Sequence, residues 1–332
     1  MIDNEQKVYV FPPSNGGKNP YITCFESSIS KVFLCPPRNK VYDGVLDLLY
    51  NFNSKAWIIN WDTNLAFRKF GFLQVFLYVI LLVLRRLCKK KNIWILHNKG
   101  AHQKNNFLSN LTAYCTAKFC TITCTHSQEG VVYYKDKFKR NNVYYYPHPA
   151  YPNLSYKITK SYEYDYIIWG SILRYKNIAE FLRFAVKDEQ LKTKKILICG
   201  RCSDVEYNNE IQSIIQHIPD FEYVNKFLSE EEIISNIEKS KNILFTYASK
   251  SVLSSGALIF SLPAKKLIIG PAVGAFKDLN EMGVIANYYS FDEIAGLDDS
   301  FDLDESKIQE YLNNYTWDNF ALFIKKLLLE NK

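Results

Sequence analysis

Neither common glycine fingerprint for phosphate is present in this sequence. It has no GxGxxG, which disfavours a nicotinamide-dependent dehydrogenase. The loop "FPPSNGGKNPY" carries Gly16, Gly17 and Lys18 but lacks the spacing and terminal Lys-Ser/Thr of a P-loop. A single CxxC, Cys199 to Cys202, leaves no partner pair for a zinc site, and its surroundings lack a thioredoxin pattern. Charge of one sign is nearly balanced: 41 Lys+Arg against 34 Asp+Glu, a net +7. That modest excess favours lipid headgroups or phosphate esters but is a weak argument for nucleic acid, which is not expected as a partner. The apolar run from Phe70 to Leu84 is interrupted by Gln74 and falls short of the ~18–20 residues that span a bilayer. The start, "MIDNEQKVYVF", is acidic and polar where a secretory leader is basic. The eight cysteines are therefore expected as reduced thiols. Cys115, Cys120 and Cys124 read as small core residues.

What remains is a globular composition, 48% hydrophobic and 23% charged, with 15% aromatics. Strand-like runs alternate with helical ones almost throughout. "KVYVF", "AWIINW", "NIWILHN", "TITCTHS" and "NVYYYPHPAY" punctuate the first half. After the polar stretch "SYKITKSYEY", a second series runs through "YDYIIWGS", "KKILICG", "FEYVNKF", "NILFTY" and "KKLIIGP". Such alternation predicts parallel sheets covered by helices on both faces, and two series predict two doubly wound α/β domains. The expected boundaries are 1–155, 156–305 and a C-terminal helical stretch, 306–332, packing along the junction.

Ligands of doubly wound domains bind outside the carboxyl ends of strands. The strand-end loops, and the cleft between two such domains, are therefore the candidate sites. The Gly16–Gly17–Lys18 loop can wrap an anion. His97 and His102 follow one strand, and His126 and His148 also fall at strand ends. No cysteine or carboxylate adjoins the first pair, so rather than metal ligands they read as sugar-hydroxyl partners, proton carriers or, equally well on spacing alone, structural histidines. In "IIWGSILRYKN", Gly170 ends a strand and Arg174 and Lys176 follow, a basic pair able to neutralise a diphosphate. In "SVLSSGALIFSL", Ser254 and Ser255 are N-cap candidates and Gly256 admits close approach to the backbone. Lys250 adds charge there, and "GPAVGAFKDL" supplies another glycine-bearing loop ending in Lys277 and Asp278. The Phe70–Lys91 helix, with Arg85, Arg86, Lys89, Lys90 and Lys91, reads either as a buried domain helix or as an interfacial helix on anionic lipid.

Taken in order, "WILHNKGAH", "TCTHSQEG", "YYYPHPAY", "IIWGSILRYKN", "LICG" and "SGALIFSLPAKKLIIGPAVGAF" resemble the motifs of GT-B glycosyltransferases. The likeness is greatest to enzymes of bacterial capsule, exopolysaccharide or O-antigen assembly, of β-mannosyltransferase-like or group 1-like type. The resemblance implies two Rossmann-like domains and a metal-independent transfer from a UDP-, GDP- or dTDP-sugar to a lipid-linked or oligosaccharide acceptor. It implies a protein of the cytoplasm, peripheral on the inner face of the membrane, with no cofactor. Donor diphosphate would lie on Arg174, Lys176, Ser254, Ser255 and Gly256, and the nucleotide near Gly170, Gly200 and Tyr247. His97 and His102 would face the acceptor, together with Gly16, Gly17, Lys18, His126 and His148. A base, if transfer inverts, would be Asp62, Glu129 or a histidine. The sequence departs from the family at two glutamates spaced eight apart, whose places fall near Val252 and Phe260. It also has Ser171 where an arginine is usual. These departures keep open an alternative, a non-catalytic sugar-nucleotide- or lipid-binding partner subunit.

Overall fold

In a computed structural model the described residues are 3–14, 19–36, 43–100, 106–157, 161–216, 218–248 and 252–330. The chain forms two compact units. One contains residues 1–149 and 315–332, the other 150–314. The first carries β1 (Asp3–Phe11), α1 (Pro20–Val32), β2 (Phe33–Leu34), α2 (Val45–Tyr50), β3 (Ala56–Asn60) and α3 (Gly71–Leu87). It continues with β4 (Lys91–Leu96), α4 (Phe107–Phe119), β5 (Ile122–Thr125), α5 (Gln128–Phe138) and β6 (Val143–Tyr145). The second begins with β7 (Tyr164–Trp169), α6 (Ile178–Ala185), β8 (Ile196–Cys199), α7 (Val205–Ile215), β9 (Phe221–Val224) and α8 (Glu230–Glu238). Then follow β10 (Ser240–Leu244), α9 (Gly256–Ser261), β11 (Ile268–Pro271), α10 (Gly274–Glu281), β12 (Ala286–Tyr288), α11 (Ile294–Ser300) and α12 (Glu305–Asn314). The final helix, α13 (Trp317–Glu330), returns to the first unit.

Each unit is built on a six-stranded sheet, ordered β2-β1-β3-β4-β5-β6 and β12-β11-β10-β7-β8-β9, with every pair parallel. Strands buried on both faces should be continuously apolar rather than alternating. The "AWIIN" of β3 and "ILIC" of β8 are buried at every position. The strand order reverses between β1 and β3 in the first sheet and between β7 and β10 in the second. Helices leave the two strands on opposite faces there, so each reversal opens a crevice at the carboxyl end.

The C-terminal stretch expected from 306 is two helices, broken near Tyr315, where Thr316 Oγ1 accepts from the Asn319 N–H at 3.2 Å. α12 belongs to the second unit and α13 to the first. α13 lies on α1, where Phe320 stacks on Phe25 at 5.2 Å and Trp317 meets Tyr21 edge-on at 4.8 Å. Asp318 accepts from Ser28 at 2.7 Å and pairs with Lys31 at 2.8 Å. The aromatic contacts carry most of that packing energy, since the ion pair is half exposed.

α3 also departs from expectation at one residue. Arg85, read with its neighbours as a membrane contact, is fully buried. It donates to Asn92 Oδ1 at 2.8 Å and to the carbonyls of Phe52 (2.7 Å), Ser54 (2.8 Å) and Lys91 (2.8 Å). Its guanidinium also lies 4.0 Å from the Trp57 ring centre. Burial lowers its pKa to about 9, and the ring of acceptors compensates for the lost water. Arg86 and Lys89 are exposed, and Lys90 and Lys91 partly so. Arg85→Ala takes the donor from four acceptors, two of them in buried hydrogen bonds, so urea denaturation should show a loss of roughly 3–5 kcal/mol. Exposed Arg86→Gln should stay within about 0.5 kcal/mol.

Candidate functional site

In the second unit, the reversal between β7 and β10 gathers the predicted donor residues. β7 ends at Gly170, held at φ +96°, and β8 ends at Gly200, held at φ +146°. A Cβ on Gly200 would lie 2.0 Å from the Gly170 carbonyl oxygen, so these strand ends pack backbone against backbone. The short 3₁₀ turn Arg174–Lys176 follows. Two hydrogen bonds tie it to the segment after β10: Thr246 Oγ1 donates to the Lys176 carbonyl at 2.6 Å, and the Ala248 N–H donates to the Tyr175 carbonyl at 2.9 Å.

Lys176 is the outstanding group. Its residue is 5% exposed, and its Nζ lies 3.2 Å from where a Gly170 Cβ would stand and 5.3 Å from the Tyr247 ring centre. Among the described residues it has no hydrogen-bond acceptor and no carboxylate partner. Burial lowers its pKa from the ordinary lysine value. Beside it, Ser255 caps α9, accepting from the Leu258 N–H at 3.3 Å, and its hydroxyl lies 3.2 Å from the Tyr247 hydroxyl. The Gly256 and Ala257 N–H groups precede the first carbonyl that a helix could offer them. Ala257 Cβ would lie 4.0 Å from a Gly170 Cβ, so the start of α9 faces the same point as Lys176. Gly274, at φ +50°, packs against the Val252 and Leu253 carbonyls, and the Ala275 N–H donates to Leu253 at 2.9 Å. Tyr247 is buried, its hydroxyl pushed up to about 12, and it acts as the spacer that sets Ser255 and Lys176 apart.

Arg174 does not join this group. It is half exposed and forks onto Asp204 at 2.7 and 3.2 Å, with Glu210 at 3.3 Å and Glu206 at 3.8 Å. Its pKa is raised by the Asp204 hydrogen bond. A 3₁₀ turn advances by a third of a circle per residue, so two residues separate its direction from that of Lys176. Ser254 is partly exposed beside the cap, and Lys277 pairs at the surface with Glu281 at 4.0 Å. Val252 is buried, and Phe260 meets Trp169 edge-on at 5.2 Å, so the two positions near which the resemblance puts glutamates are apolar and packed. Cys199 and Cys202 are buried thiols. Lys250 lies outside the described residues, as do Gly16, Gly17, Lys18 and His102.

In the first unit three of the predicted histidines converge on one tyrosine. The Tyr21 ring lies 4.7 Å from His97, 5.7 Å from His126 and 5.3 Å from His148. His126 Nδ1 meets the Tyr146 carbonyl at 2.8 Å, and a carbonyl can only accept, so Nδ1 carries the proton. Its Nε2 then accepts from the Tyr21 hydroxyl at 2.7 Å. Burial lowers His126 to about 4 and His148 to about 3, keeping both neutral at pH 7. His97 is fixed by another chain. Asn60 Nδ2 donates to the Phe11 carbonyl at 3.2 Å, which turns Asn60 Oδ1 toward His97 Nε2 at 2.9 Å. Nε2 is therefore the protonated nitrogen, and the ring stacks on Trp61 at 4.3 Å.

His97 also lines a narrow pocket of about 30 Å³ with Trp61, Asp62, Lys99 and Tyr133. Asp62 is buried, with both oxygens engaged, by Trp94 Nε1 at 2.9 Å and Thr116 Oγ1 at 2.6 Å. Burial raises it to about 6, against the pull of those hydrogen bonds. Glu129 is ion-paired with Lys99. Tyr21, Asn60 and Trp61 escaped the sequence reading. Tyr21 is one of 24 tyrosines and sits within a helix, where nothing in its neighbours marks it out.

No family profile matches the sequence, and no curated protein sequence does. Solved structures do resemble it. The Anabaena protein HepE, crystallised with UDP and glucose, is similar at TM-score 0.71 and 10% identity, covering 98% of this chain and 100% of that one. Sucrose-phosphate synthase from Thermosynechococcus elongatus is similar at 0.67 and 11%, covering 98% of each chain. A glycosyltransferase from Rickettsia africae is similar at 0.62 and 11%, again covering 98% of each. At such identities the likeness is one of fold, and the chain has the GT-B fold of two Rossmann-like domains.

The neutral histidines make stability depend on pH with a definite sign. Unfolded imidazoles bind protons below about 6.5, whereas His126 and His148 bind them only near 4 and 3. Their contribution is complete above about pH 6.5 and lost as pH falls, at roughly 1.4 kcal/mol per pH unit for each ring. Chemical denaturation between pH 7 and 4.5 should therefore show a shallower fall in a His126→Gln variant than in the parent protein.

Proposed function

We propose that this protein is a glycosyltransferase of the hexosyl type. It moves a sugar from a UDP-, GDP- or dTDP-linked donor to a saccharide acceptor carried on lipid. It works in surface polysaccharide synthesis at the inner face of the cytoplasmic membrane. The observation that carries the reading is the buried ammonium of Lys176 at the strand-order reversal of the second unit, which has no counter-ion among the described residues. A buried charge without a partner is costly, and a bound diphosphate removes that cost. When the bond from the sugar to the diphosphate breaks, negative charge grows on the leaving phosphate oxygen. Lys176 and the first N–H groups of α9 are directed to receive it. These groups supply the charge that a divalent cation supplies elsewhere, so no metal is required. HepE, which shares the fold, was crystallised with UDP and glucose, and that supports a nucleotide sugar as the ligand. The acceptor belongs to the first unit, where His97 borders the strand-end pocket.

One observation favours a second reading, a non-catalytic partner subunit that binds a sugar nucleotide. The resemblance puts two glutamates of many retaining enzymes near Val252 and Phe260, where this sequence has no carboxylate. The readings part on turnover, since both predict binding and only a transferase consumes donor.

A panel of UDP-, GDP- and dTDP-sugars should include at least one that raises the melting temperature and is turned over with acceptor. Stabilisation by none sinks both readings. Lys176→Met should weaken that donor roughly 10- to 100-fold while the far-UV spectrum stays unchanged. Because burial lowers the Lys176 pKa and a diphosphate raises it again, binding should take up protons at alkaline pH. Calorimetry in buffers of different ionisation enthalpy reads that uptake.

A further inference from the structure

α3 presents two faces of opposite use. Val75, Tyr78, Leu82 and Arg85 point into the first unit. On the other side Phe72, Phe76, Ile80, Leu84 and Leu87 form a continuous exposed stripe, with Phe72 at 71% and Leu87 at 73% exposure. α2 also exposes apolar side chains. It lies beside the start of α3, where the Val45 N–H donates to Gln74 Oε1 at 3.3 Å, and it exposes Leu46 and Leu49. Apolar area gathered on one helix pair in this way marks an interaction surface.

The charges around the stripe say what covers it. α3 contains no acidic residue, and the Asp47 side chain of α2 is buried. Exposed Lys69 stands at one end of the stripe, and exposed Arg86 and Lys89 stand at the other. Asp43, at the start of α2, is already paired with Arg68 at 2.6 Å. A second copy laid stripe on stripe would set basic ends against basic ends in either direction, which opposes self-association. An anionic surface meets no such conflict. None of the described helices is long and apolar enough to cross a membrane, and the 17 residues of α3 reach only about 26 Å against a hydrocarbon core of about 30 Å. The helix therefore fits the interface rather than the span.

We propose that α2 and α3 together form a docking face that lies flat on an anionic bilayer. The apolar stripe enters the headgroup–acyl boundary by about 5–10 Å, and Lys69, Arg86 and Lys89 remain among the phosphates. Arg85 takes no part, because its guanidinium is spent inside the fold. The proposal rests on the membrane location given above and on nothing in the donor site. Vesicle binding without nucleotide sugar, and donor stabilisation without vesicles, separate the two.

The test is co-flotation of the full chain with phosphatidylcholine vesicles, with and without phosphatidylglycerol, at low and high salt. The parent protein should float with the anionic vesicles. Phe72→Glu/Phe76→Glu should weaken this at least tenfold at both salt levels. Arg86→Gln/Lys89→Gln should weaken it mainly at low salt, leaving a residue of binding that salt does not remove. Phe227→Glu, which changes another exposed aromatic in the second unit, should bind as the parent does. Circular dichroism confirms that each variant is folded. The proposal is overturned if the parent floats with neither vesicle or if the Phe72/Phe76 variant binds undiminished. It is equally overturned if the parent is a dimer that this variant splits while vesicles are ignored.

Discussion

The interaction on which the second unit turns is the burial of one ammonium group against a glycine. Lys176 can lie where it does because Gly170 has no side chain, the Nζ standing 3.2 Å from the missing Cβ. Gly170 in turn can lie where it does because Gly200 lets the neighbouring strand end pack against its carbonyl. The Tyr247 ring gives the ammonium a face to rest on, and its hydroxyl meets the Ser255 cap of α9. Residues from four segments thus enclose a positive charge that meets no counter-ion among the described residues, an arrangement whose cost a bound anion would offset.

The first unit solves the opposite problem. Its strand ends carry histidines, which would be charged at mildly acidic pH in water. Here a carbonyl fixes the protonated nitrogen of His126, the Tyr21 hydroxyl takes the other, and Trp317 and Phe320 of α13 close over the cluster. The returning helix is thus part of the strand-end chemistry of the first unit, and its aromatic side chains keep water from the rings.

Much of the fold was legible in advance. Short apolar runs, glycines at their ends and serine caps before helices repeat with enough regularity to give two doubly wound units. The strand-end positions of His97, His126, Gly170, Gly200 and Lys176 follow from that pattern, because every parallel strand delivers its last residues to the same edge of its sheet. Side-chain direction was not legible. Arg174 and Lys176 are two residues apart, and the sequence offers them as one basic pair. The turn between them sends one to a carboxylate cluster and the other to the buried site. Arg85 and Arg86 are adjacent, and a helical rotation of about 100° puts one inside and the other in solvent.

Periodicity and turn residues act over a few neighbours, so the elements, their order and the positions at which chemistry would stand can be read along the chain. Tertiary structure alone decided which of those positions meet. Tyr21, Asn60 and Trp61 join His97, and Arg174 turns to Asp204 while Lys176 lies beside Tyr247. It also decided which basic residues are spent within the fold, as Arg85 is. A cation is free to bind only if no local acceptor reaches it, and that depends on distances between segments far apart in the chain.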